Sequence, residues 1–271
     1  MPTQHTFLLV EGRHDAEFMA RLLGQRGFKQ KKLLRDLPEE LIRLIPRDFP
    51  AEETIPLTEP QRVPSFYQAS QNWVSILVGG GASAAVTLGN AVRAGLVKGF
   101  QPEAVGVVID QDQHATAAAA RDIFLVEFAK QEDLPTWLEF NLAPGTVRSG
   151  PPRVGLFVLP DNHHPGALED ILLECGADNY PALKQRAEDY AEAAWNSCGL
   201  TTADLNDYGP RDGQKNISKR KKAIVGVMGG ILKPAAAVQN SIRDNRWLEG
   251  VALDRQRVKD VQQFLHTLTG I

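Results

Sequence analysis

Four short runs of uniformly apolar residues most constrain how this chain can fold. They are TFLLV (6–10), WVSILV (73–78), AVGVVI (104–109) and VGLFVL (154–159). Strands that are apolar throughout, with no alternation of polar residues, are typical of a parallel sheet that is covered on both faces. The runs therefore predict the buried strands of an α/β protein.

Helical patterns separate these runs and dominate the end of the chain. The predicted helices cover 15–23, 38–45, the stretch from the glycines at 79–81 to about 97, 115–130, 166–175, 180–197, 217–225 and 255–268. We predict a three-layer α/β core over residues 1–160, with helices on both faces of a parallel sheet. A mainly helical C-terminal portion, residues 161–271, is expected to pack on it. The proline-rich segment 36–66 is expected to be irregular surface chain or an insertion.

Bulk composition excludes some classes of function. The chain has 271 residues and a formal net charge of -3, so it is not a strongly basic nucleic-acid binder. No segment approaches the ~20 apolar residues needed to cross a bilayer, and no membrane partner is expected. Its two cysteines lack zinc spacing and are expected to be free thiols in a reducing compartment. We therefore expect a cytoplasmic protein, and the sequence gives no indication of its oligomeric state.

Acidic residues follow three of the four predicted strands. They are Glu11 and Asp15 after the first strand, Asp110 and Asp112 after the third, and Asp161, Glu169 and Asp170 after the fourth. Ligands of open parallel sheets bind outside the carboxyl ends of the strands. If the strands are parallel, these acids meet along one edge of the sheet.

Asp110 and Asp112 are two residues apart, so in extended chain both side chains would point the same way. Two carboxylates about 4 Å apart repel by ~4 kcal/mol at an effective dielectric constant near 20. Such a cluster requires raised pKa values or a cation, and hard oxygen ligands favour Mg²⁺ or Mn²⁺. The alternative is that each acid is a turn residue or stabilises a helix N-terminus, which applies most directly to Asp15, Glu169 and Asp170.

Two of the segments that contain these acids resemble the motifs of a known family. VEGRHDAEF (10–18) and VVIDQDQ (107–113) resemble the paired motifs of the Toprim domain, the catalytic fold of bacterial primases and topoisomerases. With LPDNHHPGALEDILL (159–173), the chain resembles small stand-alone Toprim-like proteins related to the overcoming-lysogeny-defect nucleases. The resemblance implies a Toprim or Rossmann-like sheet and Mg²⁺- or Mn²⁺-dependent chemistry on a phosphodiester of DNA or RNA.

The resemblance also implies residue roles. Glu11 matches a general acid/base or metal ligand, and Asp110 and Asp112 match a metal-binding pair; these three are the catalytic candidates. Asp15, Glu169 and Asp170 match ligands of a second metal ion, the last two less closely. No GxxxxGK[ST] segment is present. A nuclease is therefore the leading prediction, and the alternatives are a non-catalytic nucleotide- or partner-binding module, for instance in a defence system, and a nucleotide phosphohydrolase.

Phosphate-binding candidates lie in three places. Arg13 stands inside the first motif and could meet a phosphate. Gly80 and Gly81 belong to GGGASAAV, which is either a phosphate-facing loop or a tight turn between a strand and a helix. Lys215 and Lys219 belong to the basic run KNISKRKK (215–222), which is either a nucleic-acid contact or a solvated helix face.

Overall fold

The structure, a computed structural model, describes residues 4–45, 63–79, 83–97, 99–112, 114–197 and 213–271. Side chains at 96, 97, 196, 197 and 213–218 lie outside this description. Most of the proline-rich segment, residues 46–62, also lies outside it. The last part of that segment contains a strand, β3, that was not predicted.

One mixed sheet organises the described residues. Its seven strands are β1 (Gln4–Val10), β2 (Lys29–Lys31), β3 (Ser65–Ala69), β4 (Asn72–Val78), β5 (Ala104–Asp110), β6 (Thr146–Arg148) and β7 (Arg153–Leu159). Their order is β2-β3-β4-β1-β5-β7-β6. The central strands β4, β1, β5 and β7 are parallel, so the predicted parallel core is confirmed. The edge strands β2, β3 and β6 pair antiparallel, which makes the sheet mixed.

Helices cover both faces of this sheet, as predicted for an α/β protein. The helices in the described part of the chain are α1 (Arg13–Gln25), α2 (Glu39–Ile42), α3 (Ala84–Val97), α4 (Ala117–Ala129), α5 (Leu168–Asn179), α6 (Pro181–Ser197), α7 (Gly213–Leu232), α8 (Val238–Asp244) and α9 (Gln256–Thr269). Alternate residues of β1 belong to two separate apolar layers. Leu8 and Val10 pack with α1, α5, α7 and α9, whereas Phe7 and Leu9 pack with α3 and α4.

The C-terminal helices pack on the face that carries α1. Close approach of α9 depends on a glycine in β5, because a Cβ at Gly106 would lie 2.3 Å from Leu268 Cδ2. Trp247 is fully buried on this side and its Nε1 donates a hydrogen bond of 3.0 Å to Ser241 Oγ. Trp247 therefore anchors the packing of the C-terminal helices.

Two further observations concern membrane-spanning helices and the cysteines. Among the described helices, none combines the length and apolar character required to span a membrane. Cys175 is a buried free thiol in α5, and burial raises its pKa to about 12. The second cysteine, Cys198, lies outside the described residues.

Candidate metal centre

The carboxyl ends of β1 and β5 bring three carboxylates together. Glu11 directly follows β1, Asp110 is the last residue of β5, and Asp112 lies two residues further on. One ligand oxygen from each of them lies within 4.8 Å of the others. In the part of the chain that the structure describes, no other group of three acidic, histidine or cysteine side chains meets this criterion. We call Glu11, Asp110 and Asp112 the triad.

Asp112 reaches the triad in a way that the sequence argument did not anticipate. The chain is not extended there, because Asp112 has a φ of +48°, in the left-handed region. Its N–H donates a hydrogen bond of 2.9 Å to Gly166 O, in the loop before α5. The predicted reason for convergence, alternation along an extended strand, is therefore wrong. A left-handed turn after β5 brings the two aspartates together.

Asp110 links the end of β5 to the start of α5. Its Oδ1 accepts a hydrogen bond of 3.1 Å from Leu168 N, one of the N–H groups at the start of that helix. This bond holds the side chain of Asp110 in its orientation at the triad. The short loop before α5 thus contributes to the geometry of the triad.

Asp15 and Asp170 occupy equivalent positions at two helix starts. Asp15 Oδ2 accepts a hydrogen bond of 2.6 Å from Gly12 N, and Asp170 Oδ2 accepts one of 3.1 Å from Ala167 N. The other oxygen of Asp170 accepts a hydrogen bond from Lys221 Nζ. The helix-start role considered in the sequence is present in both residues. Both oxygens of Asp170 are engaged by protein groups.

Glu169 is different from its neighbour Asp170. It is only 5% exposed, and its Oε2 has no hydrogen-bond partner. A buried carboxylate oxygen without a partner is costly, so such groups are normally paired or bound to a metal. The charge of Glu169 acts on Asp15 and Asp110. An orphaned oxygen beside the triad fits a site that holds a cation.

Five carboxylates share this edge of the sheet, and we call them the carboxylate cluster. They are the triad, Asp15 and Glu169. Desolvation, followed by the charges of Asp15 and Asp112, raises the pKa of Glu11 to about 7. Desolvation is also the main cause of three other raised pKa values. The pKa of Asp15 rises to about 7, that of Asp110 rises well above its ordinary value, and that of Glu169 is also raised. A divalent cation would offset this repulsion, so the donors fit Mg²⁺ or Mn²⁺.

Lys222 of α7 is the cationic partner of the cluster. Desolvation lowers the pKa of Lys222, but the charges of Glu169, Asp112, Asp110 and Asp15 outweigh it and raise the pKa above its ordinary value. Sequence reasoning did not select this residue. Lys222 lies in the basic run 215–222, but no pattern in the sequence distinguishes it from its neighbours.

The residues predicted to bind phosphate lie on α1, on α7 or outside the described residues. Arg13 is exposed at the start of α1, where its charge acts on Glu17. Lys219 is half-buried on α7, one turn before Lys222, and the side chain of Lys215 lies outside the described residues. Gly80 and Gly81 also lie outside them.

The fourth strand-end acid, Asp161, belongs to a separate ionic network. It accepts hydrogen bonds from His163 N at 3.0 Å and His164 N at 2.8 Å, and it pairs with Arg257 at 2.8 Å. These donors outweigh desolvation and lower the pKa of Asp161 to about 2. Asp161 is therefore a satisfied structural carboxylate, in contrast to the cluster.

The fold and site define an α/β protein with buried carboxylates at the carboxyl edge of its sheet. The chain belongs to the family described as "Protein of unknown function (DUF3226)", whose model matches residues 5–268. Its fold is similar to the crystal structure of hypothetical protein PH0156 from Pyrococcus horikoshii OT3, with a TM-score of 0.50 and 16% sequence identity. The similarity covers 98% of this chain and 95% of that chain, and concerns the fold alone. No curated protein matches this sequence.

Proposed function

We propose that this protein is a Toprim-fold phosphodiesterase that uses Mg²⁺ or Mn²⁺ and acts on nucleic acid. The observation that carries the proposal is the convergence of Glu11, Asp110 and Asp112 within 4.8 Å of one another. Structural acids are normally satisfied by protein donors, as Asp161 is. The triad has few such donors, and the raised pKa values of Glu11 and Asp110 are typical of functional sites.

The triad would hold one divalent ion, and Asp15 and Glu169 would supply further oxygens beside it. A bound ion of this kind polarises a phosphoryl oxygen and lowers the pKa of a bound water. The resemblance matches Glu11 to a general acid/base or metal ligand. Glu11 is therefore the triad residue that we assign to accept the proton of an attacking water.

Lys222 supports a polyanionic substrate. Lys222 interacts electrostatically with all five carboxylates of the cluster, so it stands close to where a bound phosphate would lie. Lys221, the neighbour of Lys222, forms an ion pair with Asp170 and so holds the start of α5 in place. A net charge of -3 would otherwise repel nucleic acid, and a local cation beside the triad compensates at the point of contact.

A cleavage assay tests this proposal. Purified protein would be incubated with labelled single-stranded and duplex DNA and RNA, in Mg²⁺, Mn²⁺ or EDTA. We expect metal-dependent cleavage that falls at least about 100-fold in Asp110→Asn and Asp112→Asn, since each removes a charged ligand. Asp254→Asn is the matched control, because it makes the same chemical change at an exposed residue outside the triad.

Three results would decide against the proposed phosphodiesterase. Cleavage that survives in both triad variants would place the activity elsewhere or in a contaminant. Metal binding at the triad without cleavage of any substrate would favour the non-catalytic nucleotide- or partner-binding module. Activity restricted to mononucleotides would favour a nucleotide phosphohydrolase on the same site.

A further inference from the structure

A narrow cleft opens directly from the triad and runs between α3 and α4. Its volume is about 270 Å³, and the three carboxylates are part of its lining. The side walls are apolar and are formed mainly by Ala84, Ala85, Ala120 and Phe124. Small side chains face each other across the two helices, which is why the cleft is open. Charged and apolar side chains thus line the same space.

The cleft and Lys222 lie on opposite faces of the sheet. Helices α3 and α4 cover the face that carries Phe7 and Leu9, whereas α7 belongs to the apolar layer of the other face. The triad stands at the edge between the two faces. A phosphate bound there would have a cation on one side and an apolar recess on the other.

Ile123 is the exception among the apolar residues of the cleft. Ala84, Ala85 and Phe124 are at most 6% exposed, but Ile123 is 50% exposed at the rim on α4. A ligand in the cleft would cover part of this side chain and remove it from water, which favours binding. Val126, one helical turn further on, is also exposed and does not line the cleft.

The size of the cleft restricts what can occupy it. Its volume is just below the roughly 300 Å³ at which pockets for drug-sized ligands begin. A peptide helix, about 10 Å across, would not fit. A flat heterocycle would fit, and His114 and Glu127 of the lining offer polar groups to its edge. A heterocycle attached to a phosphate would match both the triad and the apolar walls.

We propose that the cleft binds an unpaired nucleobase next to the phosphate held at the triad. The inference rests on the proposed function, because the triad must hold the metal-bound phosphate. A base inside a duplex is covered by its partner and its stacking neighbours, so it would have to leave the helix to enter. The substrate class is therefore single-stranded nucleic acid, or a strand end, and Ile123 contributes to its selection.

Calorimetric titrations of the intact chain test this assignment. Mn²⁺ alone is titrated first, followed by adenosine 5′-monophosphate and ribose 5-phosphate in the presence of Mn²⁺. The two probes carry the same phosphate and sugar, and only the first has a base. Stacking of a base on an aromatic side chain is worth ~1–3 kcal/mol, and Phe124 lines the cleft, so we expect adenosine 5′-monophosphate to bind about tenfold or more tightly than ribose 5-phosphate.

Variants at the rim locate the base. Ile123→Ala should reduce the affinity ratio of the two probes severalfold and leave the affinity for ribose 5-phosphate unchanged. Val126→Ala should leave both affinities unchanged. A base that binds elsewhere would give a ratio that Ile123→Ala does not alter, which would overturn the proposal.

Failure of this inference is distinguishable from failure of the proposed function. If Mn²⁺ binds and the two probes bind equally, the cleft does not hold a base although the metal centre stands. If Mn²⁺ does not bind, the metal centre itself is refuted, and this inference falls with it. Preferential cleavage of a hairpin stem over its single-stranded loop would also contradict the inference.

Discussion

Replacement of Asp110 by Asn should make the metal-free protein more stable at pH 8, although it alters the candidate metal centre. The triad oxygens lie within 4.8 Å of one another, and two unit charges at that distance repel by about 3.5 kcal/mol at an effective dielectric constant near 20. Asn removes the charge and keeps an oxygen that can accept the hydrogen bond from Leu168 N. Because the acids with raised pKa values are partly protonated, we expect a gain of about 1–3 kcal/mol.

The pH dependence has a defined sign. Between pH 4.5 and about 7 the folded state retains the proton of Glu11, whereas the unfolded chain has released it. The metal-free protein therefore loses stability as pH rises through this window. Protonation relieves the repulsion at low pH, so the advantage of Asp110→Asn should be largest at pH 8 and small at pH 5.

Urea unfolding in EDTA at pH 5 and pH 8, repeated with Mg²⁺ or Mn²⁺, measures both effects. Bound metal should reverse the order of stability at pH 8 and make the wild type more stable than Asp110→Asn. Only the wild type has the full set of charged ligands. Asp161→Asn is the control, and it should lower the stability of the protein instead of raising it. Asp161 accepts hydrogen bonds from two N–H groups and Arg257, so its loss should cost about 1.5–3 kcal/mol. An Asp110→Asn variant that is less stable than wild type at pH 8 in EDTA would refute the reasoning.

Three further substitutions test separate parts of the account, each by urea unfolding. Lys222→Gln removes the cation beside the carboxylate cluster and should lower metal-free stability at pH 8 by about 0.5–1 kcal/mol, after allowance for solvent screening; an unchanged midpoint would remove Lys222 from the site. Trp247→Ala should cost about 3–5 kcal/mol, because this fully buried side chain anchors the C-terminal helices; a cost below 1 kcal/mol would contradict that role. Gly230→Ala should add about 0.5–1 kcal/mol, since the exposed glycine lies within α7 and no atom lies within 4 Å of the new Cβ; destabilisation would indicate a contact that this geometry excludes.

The parallel core could be predicted from sequence because each of its strands is buried on both faces. That burial produced the uniformly apolar runs that identified β1, β4, β5 and β7. The edge strands could not be found in the same way. β2 and β6 have three residues each and are exposed or half-buried, so neither has a hydrophobic period. Helix α7 is longer than predicted, since glycines such as Gly230 weakened its pattern.

The candidate site was predictable in composition and only partly in geometry. The acids could be identified because they follow predicted strands. The carboxyl ends of parallel strands lie at one edge of a sheet, where ligands bind. The sequence could not show that Asp112 turns back through a left-handed conformation, or that Asp161 is satisfied by Arg257, 96 residues further on. Lys222 was missed because its partners are distant in sequence. Long-range pairing of this kind leaves no local pattern.

A crystal soaked in Mn²⁺ and measured for anomalous scattering tests the central claim most directly. We expect a peak bound by carboxylate oxygens of Glu11, Asp110 and Asp112, at roughly 2.0–2.3 Å, in the range of oxygen–metal distances. The same peak should be absent from Asp110→Asn crystals soaked in parallel. A wild-type crystal with no peak at the triad, or with Mn²⁺ bound only at exposed acids elsewhere, would contradict the account.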